Sequence, residues 1–262
     1  IAQPQVMLLP PSGYLVAGTP SKKAWQRLSK KDIRKSVNIA AAVVANTNVF
    51  FPELEKALNI NNLPAQVIPY TADEIFKPLA WHDKTIIKAS HTGNKDFFAA
   101  VITSPQQDYI HLLKAFSGFK KWQQSSMQLL LIISGDVPDD DIQEKLSTYK
   151  YRNDVKLIDY TDDNQTAGII ASAYALLFNN TDEHLLPVVQ AMQCGIPLIA
   201  LKDPLVELYA ADATLFTTDD TPTAMTDQMN YLYKNETLRE MLSVQGLETS
   251  KLYNNLEQQQ KL

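Results

Sequence analysis

From residue 97 onward the chain alternates short apolar runs with amphipathic stretches, and this pattern limits the possible folds more than any other feature. Residues 97–103 read FFAAVIT, 128–134 QLLLIIS, 155–160 VKLIDY, 175–179 ALLFN and 197–201 PLIAL. Helical patterns fill the intervals at about 108–122, 138–150, 163–173 and 185–194. A strand with one wet face alternates apolar and polar residues, whereas a near-continuous apolar run belongs to a strand covered on both faces. The pattern predicts a doubly wound α/β domain over about residues 84–234, with one parallel sheet of five or six strands. The strands at 175–179 and 197–201 should flank the helix at 185–194.

The first 80 residues follow another rhythm. Strands are predicted at 5–9 and 40–45, with the basic stretch SKKAWQRLSKKDIRKS between them. FFPELEKALNI (50–60) reads as a helix with Pro52 near its start. LPAQVIPYTADEIFKPL (63–79) reads as a strand, a turn and a proline stop. These strands are too few for a complete sheet, so this piece is expected to be the end of a first α/β domain. The division predicted is 1–80 for that partial domain and its linker (near 76–84), 81–234 for the Rossmann-like domain, and 235–262 for two C-terminal helices. The Gln-rich end should fray. The chain opens on Ile1 in a strand-like run, which suggests a start inside a longer protein. No internal repeat is visible.

Composition narrows the class of function. Over 262 residues the chain is 45% hydrophobic and 20% charged, with a net charge of −5. That mild acidity argues against nucleic acid and against a polybasic membrane surface. No apolar run reaches the roughly 20 residues of a membrane-spanning helix. The single cysteine, Cys194, excludes an internal disulfide and suits a reducing compartment. Its position just before Gly195 reads as a small core residue. The expected location is the cytoplasm, free or peripheral at the inner membrane face. His82, His91, His111 and His184 have no ligand spacing, so no metal is expected. The run from Pro138 through Asp139, Asp140 and Asp141 fits a first helical turn, where carboxylates complement the helix dipole. The basic residues of 21–35 read as a solvated helix face.

Five segments occur in a telling order: VIPYTADEIFKPL, YIHLLKAF, YKYRNDVKLIDY, IIASAYALLFNN and LLPVVQAMQCGIPLIAL. Together they resemble the retaining glycosyltransferases of family 4, well over about 67–242 and loosely over 3–58. The resemblance implies a GT-B-like fold of two facing Rossmann-like domains, the second binding a nucleotide-sugar donor and the first a glycan or lipid acceptor. No metal cofactor is implied. Leaving-group charge on the diphosphate would be met by cationic side chains and a helix N-terminus.

The family's positions fall here on unusual residues. Its Arg-Lys pair, in a pattern like R-K-N-x-x-x-L-L-x-A-F, aligns with Gln106 and Gln107. The two glutamates of its E-x7-E motif align with Asp182, which would meet the donor sugar, and Gln190, which would meet the ribose. The donor loop here reads Glu183, His184, Leu185 and Leu186, with Glu183 and Leu185 in place of two glycines. Tyr160 and Thr161 would meet the base through backbone groups. Pro10 and Pro11 stand where relatives often carry His-Asp. The chain has only eight glycines and no Gly-rich loop to serve as another phosphate cradle. The plainer reading makes each of these an ordinary polar surface residue. Gln106, Gln107, Asp182 and Gln190 are all expected to face solvent, so restoring the family's charges should cost about 0.5 kcal/mol or less apiece.

Three functional readings remain open. One is a degenerate glycosyltransferase-like protein with weak or no nucleotide-sugar binding, serving as a binding or assembly partner of another protein. The second is an active transferase with an unusual donor site. The third is an unrelated Rossmann-like binding module.

Overall fold

The computed structural model of the chain describes residues 6–8, 35, 39–45, 64–103, 107–133, 140–179 and 185–254. The chain divides into two compact units, one of Ile1–Tyr70 with Tyr253–Leu262 and one of Thr71–Leu252. In the first, strands β1 (Val6–Leu8), β2 (Ala42–Ala45) and β3 (Ala65–Val67) form a parallel sheet in that order. Val6 lies opposite Ala42 and Val43 opposite Ala65. The expected helix at 50–60 and the Pro10–Pro11 pair lie outside the described residues. Of the basic stretch only Lys35 is described, helical and exposed.

The larger unit has the predicted doubly wound α/β architecture. In chain order it runs α1 (Trp81–Thr92), β4 (Phe97–Ile102), α2 (Tyr109–Gln123), β5 (Gln128–Ile133), α3 (Asp140–Ser147), β6 (Val155–Asp159), α4 (Asp163–Ser172), β7 (Ala175–Phe178), α5 (Leu186–Gln193), β8 (Leu198–Ala200), α6 (Pro204–Ala210), β9 (Thr214–Phe216), α7 (Pro222–Tyr233) and α8 (Glu236–Asn254). All six strands are parallel, in the spatial order β6-β5-β4-β7-β8-β9. From β4 the sheet grows one way through β5 and β6. It then resumes on the other side of β4 with β7, so the winding reverses between β4 and β7. Helices α2 and α7 pack together, while α1, α4, α5 and α6 form a second packed set.

Burial explains why these runs became strands. Every residue of β4, β5 and β7 is buried, as the unbroken apolar runs require. Phe98, Phe116 and Phe119 are wholly buried, and Phe98 meets Phe119 edge-on at 5.1 Å between ring centres. Each such ring contributes about 1.5–3 kcal/mol by leaving water. Helix starts are fixed by side-chain caps. Asp108 accepts from the His111 N–H at 3.0 Å, Asp162 from that of Gln165 at 2.9 Å, and Asp203 from that of Leu205 at 2.8 Å. Lys120 is buried beneath α2, where it pairs with Asp154 at 3.0 Å and donates to the carbonyls of Met127 (3.1 Å) and Ser125.

Several elements differ from the sequence expectation. Helix α1 begins at Trp81, inside the stretch read as a linker. The helix expected over 138–150 is described over Asp140–Ser147, so it ends before Lys150, with Asp140 and Asp141 in its first turn. Strand β9 and helix α6 were not foreseen. A single helix, α8, runs from Glu236 to Asn254 where two were expected. Gly246 lies inside it without breaking it, and a Cβ there would meet the Met192 Cα only at an ordinary contact distance of 3.4 Å.

Candidate functional site

The reversal between β4 and β7 is where an open α/β sheet leaves a crevice at the carboxyl ends of its strands. Two amide side chains close its floor. Gln107, only 5% exposed, donates from Nε2 to the Val101 carbonyl and to Asn179 Oδ1, both at 3.1 Å. Its Oε1 accepts from the Thr103 N–H at 3.1 Å. Asn179, also buried, passes the chain on by donating from Nδ2 to the Asp108 carbonyl at 2.7 Å. The end of β4, the start of α2 and the end of β7 are thus tied through one amide pair. This corrects the expectation of a solvent-facing Gln107, since its bonding capacity is turned inward.

Beside this floor lies a cavity of about 290 Å³, lined by Val101, Thr103, Tyr160, Asp163, Thr166, Leu186, Pro187 and Gln190. It draws on the ends of β4 and β6 and the starts of α4 and α5. Gln190 is buried at 6% exposure, which again corrects the reading as a surface residue. Its side-chain amide makes no hydrogen bond among the described residues. The Tyr160 hydroxyl donates to Asp163 Oδ1 at 2.8 Å, and this bond to a carboxylate raises its pKa above the ordinary phenol value. Thr161 faces Gln165 instead, donating to Oε1 at 2.8 Å, and does not line the cavity. Leu186 is a wall residue, and Leu185 is buried at the N-cap of α5. Gln106, Asp182, Glu183 and His184 lie outside the described residues.

The α5 N-terminus is poorly equipped for an anion. Leu185 gives no side-chain cap, Pro187 has no N–H, and the Val188 N–H is spent on the Leu185 carbonyl at 2.9 Å. Tyr109 ties the starts of α2 and α3 by donating to Asp141, and burial followed by that bond raises its pKa. His111 Nε2 lies 3.0 Å from the Asp220 carbonyl, so that nitrogen carries the proton. Among the described residues no group of three or more His, Cys, Asp or Glu could hold a metal ion, and no helix is long and apolar enough to cross a membrane.

The sequence reading reached Tyr160, Leu186 and Gln190 but missed Val101, Thr103, Asp163, Thr166 and Pro187. Their signal was position. Val101 and Thr103 end the strand before the reversal, and Asp163 and Thr166 occupy the first turns of a helix opening on the same edge. Asn179 carried a similar signal, as a polar residue ending an apolar run.

A doubly wound parallel sheet with a cavity at the carboxyl ends of its strands defines a Rossmann-like α/β domain. The chain belongs to the glycosyl transferases group 1, whose family model matches residues 84–249. A comparison with curated protein sequences finds no match. Solved structures do resemble it. WaaG, a glycosyltransferase involved in lipopolysaccharide biosynthesis, is 12% identical with a TM-score of 0.75, covering 94% of this chain and 70% of its own. HepE of Anabaena, in complex with UDP-glucose, is 14% identical with a TM-score of 0.75, covering 99% and 70%. The C-terminal domain of LpcC from Francisella tularensis, a group 1 family protein, is 14% identical with a TM-score of 0.57, covering 70% and 97%. At these identities the likeness is one of fold, of the GT-B glycosyltransferase type.

Proposed function

We propose that this chain is a catalytically degenerate member of its family, with weak or no nucleotide-sugar binding, acting as a binding or assembly partner of another protein. The observation that carries the reading is the state of Gln107. It aligns with the family's lysine, brings no charge, and has its hydrogen bonds committed to Val101, Thr103 and Asn179. A charge-assisted bond is roughly twice as strong as a neutral one, so a leaving diphosphate would lose several kcal/mol of stabilisation without the cationic pair. Gln106 and Asp182 depart from the family pattern in the same direction.

The second reading is an active retaining transferase moving a sugar to a glycan or lipid acceptor. It is favoured by the cavity itself, by the open amide of Gln190, and by the UDP-glucose bound to HepE. Calorimetric titration with UDP- and GDP-sugars separates the two. The degenerate protein should bind none of them more tightly than about 1 mM, or 4 kcal/mol. A micromolar dissociation constant, or release of nucleoside diphosphate on incubation, favours the enzyme.

A further inference from the structure

Helix α4 presents two faces. Asp163 and Thr166 line the cavity at the strand ends, whereas Asn164, Ala167 and Gly168, about 100° further round, line a separate groove. That groove holds about 390 Å³ and lies wholly within the larger unit, between α4, α1 and the segment leading into α1. Small residues keep its floor low. Gly168 sits inside α4, where glycine disfavours the helix, and a Cβ there would come 3.2 Å from Ile87 Cδ1. The walls are the aliphatic side chains of Ile75, Leu79, Ile86 and Ile87, and Ile86 is 53% exposed. Two exposed charges stand among them, Lys77 before α1 and Asp83 in its first turn. Neither makes an ion pair or a side-chain hydrogen bond among the described residues.

Aliphatic carbon left in water favours whatever covers it, and the lining selects the cover. Extended peptides add to an open sheet edge, but this groove is walled by helices and an irregular segment. Polyproline ligands dock on aromatic side chains and phosphorylated ones on arginines, and neither type lines the groove among the described residues. The remaining mode is a helix laid in the groove, with aliphatic anchors about one turn apart. Lys77 and Asp83 then call for one acidic and one basic residue beside those anchors. We infer that the groove between α1 and α4 is where a partner protein docks an amphipathic helix of that chemistry. This rests on the reading above of the chain as a binding partner, and names the surface and the kind of partner it fits.

The test is a selection from phage-displayed amphipathic helices with leucines fixed at i, i+4 and i+7 and all other positions varied. The whole native chain is the bait and the Ile86→Glu chain the counter-bait. Because Ile86 is half exposed, that variant should melt with the native protein; if it does not, Asp83→Lys at an exposed position replaces it. The enriched peptides, once synthesised, should carry an acidic and a basic residue at fixed positions. They should bind the Ile86→Glu chain at least about tenfold more weakly than the native one. Lys77→Glu should weaken them about threefold, and changing the peptide's own acid to lysine should restore that loss. The threefold difference should vanish at about 500 mM salt while the effect of Ile86→Glu persists. Failure to enrich any peptide, or peptides that bind both baits alike, overturns the inference. So does a dimer of the native chain in sedimentation that Ile86→Glu dissolves, for a second copy then fills the groove. Dodecanoate binding that the same variant abolishes, with no peptide bound, also overturns it. Failure here leaves the degenerate reading standing, since a partner can dock on another surface. Turnover of a nucleotide sugar would sink that reading and leave the groove's peptides bound.

Discussion

The side-chain amides of Gln107 and Asn179, 72 residues apart in sequence, meet at 3.1 Å across the reversal of the sheet. Both are buried, and each uses its remaining capacity on backbone groups. The pair therefore joins two neighbouring strand ends that have no covalent reason to stay together.

Removing Gln107 should be costly. Gln107→Ala takes this partner from the half-buried Thr103 N–H and from the buried Asn179 oxygen, a loss of about 2–3 kcal/mol by urea denaturation. Gln107→Lys, which restores the family's charge, should cost at least as much, because the ammonium cannot accept from Thr103. Asn179→Ala combined with Gln107→Ala should show a coupling of about 1 kcal/mol. A Gln107→Lys protein within about 0.5 kcal/mol of the native one would mean the network supports nothing.

Helix α2 crosses α7 at Gly118, and a methyl there would fall on the Thr226 side chain, 2.8 Å from its Cγ2. Thr226 cannot swing away cheaply, since its hydroxyl donates to the carbonyls of Ala115 and Pro222, both at 2.9 Å. Gly118→Ala should lower stability by about 1–3 kcal/mol despite the better helix propensity of alanine. Adding Thr226→Ala should recover part of that loss, which thermal melts of the single and double variants would reveal.

The Cys194 thiol, 1% exposed, is pushed from 9.0 to about 12 by burial, with the charge of Lys84 opposing. A raised acid pKa keeps the proton on the folded state longer than on the unfolded one. Its contribution is therefore full below pH 9.0 and is lost as pH rises toward about 12. Tyr149 and Tyr174, both raised by burial from 10.0 to about 12, add a loss of the same sign at higher pH. Between about pH 8.5 and 10 the stability of the native chain should fall, and Cys194→Ala should flatten that fall by up to about one proton. An unchanged slope would place the titration elsewhere.

Lys120 holds three acceptors beneath α2, and its side chain is only 6% exposed. Lys120→Met fills the same space but abandons Asp154 and two carbonyls. The expected loss is about 2 kcal/mol, reduced from that of a fully buried pair because Asp154 stays 23% exposed. Added salt should screen this pair little, so the difference between the proteins should persist in high salt.

What the sequence made legible follows burial. FFAAVI and QLLLII are buried along their whole length and read as interior strands at once. TLF at Thr214–Phe216 pairs with β8 at the sheet's edge and buries only Thr214 fully, so its short pattern carried too little signal. The family resemblance pointed to Tyr160 and Gln190, which line the cavity, but not to the burial of Gln190. The inward turn of Gln107 was hidden, because two of its partners are backbone groups of Val101 and Thr103 that no residue type announces, and the third, Asn179, lies 72 residues away. Polar character alone suggested the surface, and a distant amide reversed that.

Strand β4 is the first strand of its unit in the chain and a central one in space. Its pairing with β5 needs only one intervening helix, whereas β7 arrives after β5, α3, β6 and α4 have been made. Closing the longer loop costs more entropy and comes later. A chain emerging from the ribosome short of residue 175 therefore holds FFAAVI with one hydrogen-bonding edge still open. Six apolar residues with an unpaired edge are a template for strands of other chains. The half-made sheet is the aggregation-prone form of this protein, and the arrival of β7 is the step that ends the exposure.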